Sequence, residues 1–268
     1  MHSLLLRCAA DEKDILIAEL WERGTSGVLE SELPADVWEL RAFFDEPFPL
    51  ISLPQALAWR DEGSPDWGRD WQRVWEPLPV GERILLLPAW MQPPSEHADR
   101  IIVRVRPGQA SGSGYHPPTQ LALNALETFL QENDSVLDVG VGTGILLTAA
   151  DALGAGALYG CEIDQAAAAI AQANLHADGV PAHIWIGSPR SLAANSVTLI
   201  AANLNGVTID TLHREFARVL RPGGRLILSG FTERWRARLE RQFQSAGFSR
   251  LALLEGERWR ALVFSSSQ

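Results

Sequence analysis

The sequence predicts an α/β protein built on a doubly wound, mostly parallel sheet, with a small α+β domain in front of it. Three observations carry that prediction. The stretch S-V-L-D-V-G-V-G-T-G at 135–144 is a short apolar strand running straight into three glycines at alternate positions and then into an apolar helix. A second apolar run, Ala157-Leu-Tyr-Gly-Cys161, ends on an acid, Glu162, 22 residues after Gly140. Beyond it the pattern is strand, helix, strand, helix, which is how a parallel sheet is wound.

Taken in order, 2–9 is a strand-like apolar run, and Asp11 is placed to cap a helix over 12–23 that Gly24 stops. Strands are expected at 27–30 and 37–44, the second alternating Val37, Glu39, Arg41 and Phe43 against Trp38, Leu40 and Ala42. The prolines of Asp45-Glu-Pro-Phe-Pro-Leu-Ile-Ser-Leu-Pro54 break any regular element, so the small domain is expected to span 1–54. Whether 54–60 adds a second helix to it is open. Trp67, Trp71 and Trp75 recur at four-residue intervals, the spacing of one helix face, so 55–75 reads as linker and helix with a packing stripe.

The larger domain, 76–268, opens with strands at 84–87 and 101–105 separated by a Pro-rich loop. A Gly- and Ser-rich segment from Gly108 leads into a helix over 119–130. Val136, Leu137 and Val139 form the strand before the glycines, and 145–153 the helix after them. A helix at 165–174, a buried strand at 197–202 and an amphipathic helix at 209–220 follow. Arg221-Pro-Gly-Gly224 then leads into a strand at 225–229, Thr232 can cap a helix to 246, and 248–254 with 259–264 form a terminal hairpin-like pair.

Gly140, Gly142 and Gly144 leave no side chain between the backbone and a ligand, at a helix N-terminus that faces the crevice of such a sheet. A dinucleotide fingerprint is G-x-G-x-x-G, and the position of its last glycine is Ile145. The G-x-G-x-G form points instead to S-adenosylmethionine, which has no pyrophosphate to cradle. An acid about 20 residues past the glycines is where these folds grip ribose hydroxyls, which makes Glu162 the candidate. Asp164 shares its side of the strand, so alternation leaves both acids open, and either can instead cap the helix behind them. Asn203 ends the 197–202 strand, beside the crevice, with an amide suited to hold an amine or the amino-acid end of a cofactor. A turn asparagine satisfying local backbone is the plainer reading, and Asn205-Gly206 is the better turn of the two.

Net charge is −10, and through Arg60 there are 11 acids against 5 bases. Such a face disfavours a phosphate backbone and suits a basic protein partner, or serves solubility alone. Cys8 and Cys161 stand far apart and outside any C-x-x-C pair, which argues against a disulfide framework or a zinc site. With no apolar run long enough for a membrane span and no signal-like start at Met1 to Cys8, a cytoplasmic enzyme is expected.

With these pieces in place the chain resembles the PrmA family, class I S-adenosylmethionine-dependent methyltransferases that modify the eleventh protein of the large ribosomal subunit. Asp66-Trp67 through Trp75 and Leu87-Pro-Ala-Trp90 resemble the family's aromatic entry helix and next strand. Gly112-Ser-Gly-Tyr-His-Pro-Pro-Thr119 resembles its G-T-G-x-H-x-T-T loop. Leu137-Asp-Val-Gly-Val-Gly-Thr-Gly-Ile145, Gly160-Cys-Glu-Ile-Asp164, Ala202-Asn-Leu204 and Pro222-Gly-Gly224 through Gly230 follow in the family's order. The match covers roughly 66–264. Ser113 stands for a threonine, Pro118 for the first of two threonines and Glu162 for aspartate, and Asn205-Gly-Val-Thr differs from the family's apolar run.

The resemblance implies a Rossmann-like fold, cofactor contacts at Thr119, Gly140, Glu162 and Asn203, and a front domain that recognises the ribosomal protein. It also implies methyl transfer to lysine ε-amines and an N-terminal α-amine. The transfer is expected to run in line from the sulfonium to an uncharged amine, with the Asn203 oxygen as the candidate orienting partner and no strong general base demanded. His116 can serve as a base or simply make a local hydrogen bond. Rival readings are the same enzyme with another protein lysine or a small molecule as acceptor, and a catalytically silent module that binds a ribosomal protein.

Overall fold

Apolar alternation builds the first sheet. In β1 (His2–Ala9) Leu4, Leu6 and Cys8 are buried on one face, where Leu16 and Leu20 of α1 (Lys13–Glu22) cover them. With β2 (Gly27–Leu33), β3 (Val37–Phe44) and β4 (Ala56–Asp61) the order is β2-β3-β1-β4, every neighbour antiparallel. The structure, a computed structural model, describes residues 2–9, 12–25, 27–33, 37–49, 53, 55–61, 75–106 and 114–267. The chain forms two units, Met1–Trp75 and Glu76–Gln268.

β4 corrects the expected boundary at residue 54. Residues 56–61 are neither linker nor helix but an edge strand paired with β1 through a register shift at Leu5/Leu6. Both β3 and β4 run antiparallel to β1 on opposite sides, so the chain between them must cross one face of the sheet. Phe48 and Leu53 from that crossing complete the core. The rings of Phe44, Phe48 and Trp59 meet edge to face at 5.1 to 5.5 Å, and Trp59 Nε1 donates to the Phe48 carbonyl at 3.0 Å. The expected cap at Asp11 and the helix carrying Trp67 and Trp71 lie outside the described residues.

In the second unit β5 (Leu78–Val80), β6 (Ile84–Pro88) and β7 (Ile101–Val105) form a three-stranded sheet. The main sheet uses β8 (Ser135–Val139), β9 (Ala157–Glu162), β10 (Ala182–Ile186), β11 (Val197–Asn203), β12 (Leu220–Thr232), β13 (Phe248–Glu255) and β14 (Trp259–Ser266). Their order is β10-β9-β8-β11-β12-β14-β13, parallel from β10 to β12, with β14 antiparallel to both its neighbours. The helices are α2 (Pro117–Phe129), α3 (Ile145–Ala152), α4 (Gln165–Ala177), α5 (Gly206–Val219) and α6 (Glu233–Ser245). α2 starts two residues before the expected point because Pro117 and Pro118 fit a first turn, where no N–H is needed.

Phe216, Phe231, Phe243 and Phe264 fill the core between the sheet, α5 and α6. From β8 the sheet is wound outward in both directions, to β9 on one side and β11 on the other. That reversal leaves a crevice at the carboxyl ends of these three strands.

Candidate functional site

A cavity of about 770 Å³ opens at this crevice, and Thr119, Asp138, Gly140, Gly142, Glu162 and Asn203 all line it. Gly140, Gly142 and Gly144 have φ of +79°, +53° and +85°, left-handed values that explain why glycine stands at each. The Gly140 and Val141 N–H groups both donate to the Cys161 carbonyl, at 2.9 and 3.2 Å, which pins the turn to β9. A Cβ on Gly140 would lie 2.6 Å from the Leu204 side chain. Gly144 departs from its expected role: it is the N-cap of α3, a Cβ there would meet Leu175 of α4 at 3.1 Å, and it does not line the cavity. The third glycine therefore serves helix packing.

The two acids that alternation left open are separated by their bonds. Asp164 accepts from Ala166 N at 2.8 Å as the N-cap of α4. Glu162 folds its carboxylate back onto the turn: Oε1 accepts from Ile163 N and Asp164 N at 2.8 and 3.2 Å, and Oε2 from Gly142 N at 3.2 Å. A carboxylate offers about four lone-pair sites, so one remains on Oε2. Across the crevice Asn203 Nδ2 donates to the hydroxyl of buried Thr119 at 3.1 Å, joining β11 to the first turn of α2. Asn205 caps α5 by accepting from Thr208 N at 2.9 Å. Asn205→Ala is expected to cost about 1 kcal/mol of stability, the usual worth of such a cap, read as a lowered denaturation midpoint; an unchanged midpoint contradicts it.

His116 stands outside this arrangement. It does not line the cavity, its ring packs edge-on against Trp259 at 5.2 Å, and burial together with the Arg258 charge lowers its pKa.

The residue that sequence reading missed is Asp138. It is 1% exposed, lines the cavity, and neither carboxylate oxygen has a hydrogen-bond partner among the described residues. Burial pushes its pKa well above the usual carboxylate range, and the nearby Glu162 charge adds to the push. The same surroundings push the Cys161 thiol up to about 12, burial first and then Asp138, so that thiol is unreactive. The signal for Asp138 was a lone acid inside V-L-D-V, an apolar strand that should carry none.

Asp138, Glu162 and Asp164 line the cavity, and among the described residues no Lys, Arg or His does. Three acids around the cavity repel an added anion such as a pyrophosphate, whereas a cationic nucleoside finds a buried carboxylate, a glycine cradle and an acid beside it. The residues fit S-adenosylmethionine, which carries both a sulfonium and an ammonium. Among the described residues no cluster of three His, Cys, Asp or Glu is arranged for a metal ion, and no helix is long and apolar enough to cross a membrane.

On this sheet such a pocket defines an S-adenosylmethionine-dependent methyltransferase of the Rossmann-like class. The comparisons with known proteins narrow the class to one family. Residues 46–267 match the family described as Ribosomal protein L11 methyltransferase (PrmA), and the chain belongs to it. A ribosomal protein L11 methyltransferase of Parasynechococcus marenigrum is 36% identical over 81% of this chain and 77% of its own length. One from Brevibacillus brevis is 33% identical over 78% of this chain and 67% of its own length. The crystal structure of a ribosomal protein L11 methylase from Lactobacillus delbrueckii superposes with a TM-score of 0.67 at 25% identity, covering 72% of this chain and all of the other.

Proposed function

We propose that this chain transfers methyl groups from S-adenosylmethionine to amine nitrogens of ribosomal protein L11, lysine ε-amines and the N-terminal α-amine, in the cytoplasm. The observation that carries the chemistry is that the charged side chains lining the cavity are, among the described residues, all acids, gathered around a buried carboxylate with no hydrogen-bond partner among them. Membership of the PrmA family carries the acceptor.

When bound, the cofactor supplies an electrophilic methyl carbon on a positively charged sulfur. Asp138 would accept from its ammonium group, Glu162 would take a ribose hydroxyl at its one open site, and the backbone of Gly140 and Gly142 would cradle it. Thr119 accepts from Asn203 Nδ2, which leaves Asn203 Oδ1 to accept from an N–H of the incoming amine and aim its lone pair. The amine gives its proton to solvent beforehand, since a protonated amine has no lone pair. The acidic unit before residue 76 recognises the basic ribosomal protein, in line with its 11 acids against 5 bases through Arg60.

Incubation of L11 with the enzyme and cofactor, followed by mass spectrometry, tests the whole reading. Added methyl masses on L11 support it, and an unmodified L11 with intact cofactor overturns it. Glu162→Ala is expected to weaken cofactor binding by roughly 2 kcal/mol, because a charge-assisted bond is lost and the turn loses its acceptor. Equal affinities in titration calorimetry would remove Glu162 from the site.

A further inference from the structure

Ser229 is a buried hydroxyl in an otherwise apolar stretch of β12, between Leu228 and the Gly230-Phe231 pair. β12 is in register with β11 so that Ser229 lies opposite Asn203, but its register with β14 breaks between Leu228 and Phe231. Ser229 and Gly230 therefore form a bulge, the device by which a strand re-aims a side chain beside a site. The bulge points the Ser229 hydroxyl across to α2, where it donates to the Pro118 carbonyl at 2.7 Å. Its own carbonyl accepts from Leu204 N at 2.9 Å.

Gly230, at φ +90°, brings bare backbone against the same asparagine: a Cβ there would lie 2.6 Å from the Leu204 carbonyl oxygen and 2.8 Å from Asn203 Oδ1. The contacts close a ring. Ser229 holds Pro118, the next residue Thr119 holds the Asn203 amide, and the residue after Asn203 holds Ser229. An apolar residue would fill this strand position at lower desolvation cost, and the hydroxyl offsets that cost through the bond it makes to Pro118.

We propose that Ser229 is a positioning residue for methyl transfer, clamping the first turn of α2 so that Thr119 holds the Asn203 amide with its oxygen toward the acceptor amine. The proposal rests on the amine-methylating reading above. Without the clamp the first turn of α2 recedes, Thr119 loses its grip and the amide turns freely.

The test uses the full chain with L11 and cofactor, comparing wild type with Ser229→Ala, Thr119→Val and the double variant. Ser229→Ala is expected to lower kcat about tenfold, since small misplacements in an oriented transfer cost that much or more. The double variant should be no slower than the slower single one, and Ser229→Cys should recover part of the loss. A second readout needs no turnover: in the ligand-free protein the Asn203 side-chain amide protons, assigned by their absence in Asn203→Asp, should shift toward free-amide positions in Ser229→Ala. Independent, multiplying losses in the double variant overturn the clamp. So does a Ser229→Ala protein that melts earlier while its amide signal and kcat stay unmoved. A wild type that transfers no methyl group sinks the proposed function instead, and the amide signal then still decides the clamp.

Discussion

Asp138→Asn is expected to weaken S-adenosylmethionine binding by about 3 kcal/mol, over a hundredfold, while making the ligand-free protein more stable. Both effects have one cause. Asp138 is buried with no hydrogen-bond partner for either oxygen among the described residues, so its ionised form is costly in the empty protein and valuable once a cation arrives. Its native pKa is raised, by burial first and then by Glu162. Between the unfolded value, about 4, and the raised native value, the folded protein holds a proton that the unfolded chain has released. Stability therefore falls as pH rises through that interval and stays lowered above it.

Asparagine does not ionise, so the variant escapes this loss. Its melting advantage should be absent below about pH 4, grow as pH rises, and level off above the native pKa of Asp138. Binding a cation pulls the same pKa down, so wild type should release protons on binding at a pH below its raised value. Calorimetry in buffers of different ionisation heat measures that release, and the variant should show none from this group. An Asp138→Asn protein of unchanged affinity, or one that melts earlier across the whole range, contradicts the assignment.

Much of this site was legible in the chain because its parts are local. The glycine turn follows a strand whose side chains after Ser135 are apolar except for Asp138, and three alternate glycines leave few other conformations. Other parts needed the folded backbone. By alternation alone Glu162 and Asp164 would share a side, but β9 ends at Glu162, and the folded hydrogen bonds separate the acid that braces the turn from the acid that caps α4. Gly144 looked like a third ligand contact because spacing cannot show that Leu175 occupies its other side. Asp138 was passed over as part of the strand, although a buried acid there is the strongest physical anomaly in the motif.

The errors of organisation have a similar origin. β4 follows Pro54 and contains two alanines, so nothing local marks it; its pairing with β1, some fifty residues away in sequence, makes it a strand. The Ser229-Gly230 bulge exists only relative to β14, a strand that the chain reaches thirty residues later. Register is a property of two strands together, and one segment cannot announce it.

Asn203→Ala is expected to lower kcat by two to three orders of magnitude, roughly what loss of an orienting hydrogen bond in a preorganised site costs. Cofactor affinity should change far less. The reasoning turns on what the amide can and cannot do. Asn203 has no proton to gain near neutral pH, so it orients the amine and does not deprotonate it. The rate should therefore rise with pH along the titration of the acceptor, about 7.7 to 8 for an α-amine and about 10.4 for a lysine, in wild type and variant alike. The variant curve should lie lower without moving sideways. His116, outside the cavity and with a lowered pKa, should add no limb near its own titration. A sideways displacement of the curve in Asn203→Ala would mean that the residue governs the proton after all. An equal kcat for the two proteins would mean that the amine is aimed by something else. Because Thr119 fixes which end of the amide faces the acceptor, Thr119→Val should lower the curve in the same way and to a smaller degree, which ties the orienting role to the hydrogen bond and not to the bulk of the asparagine.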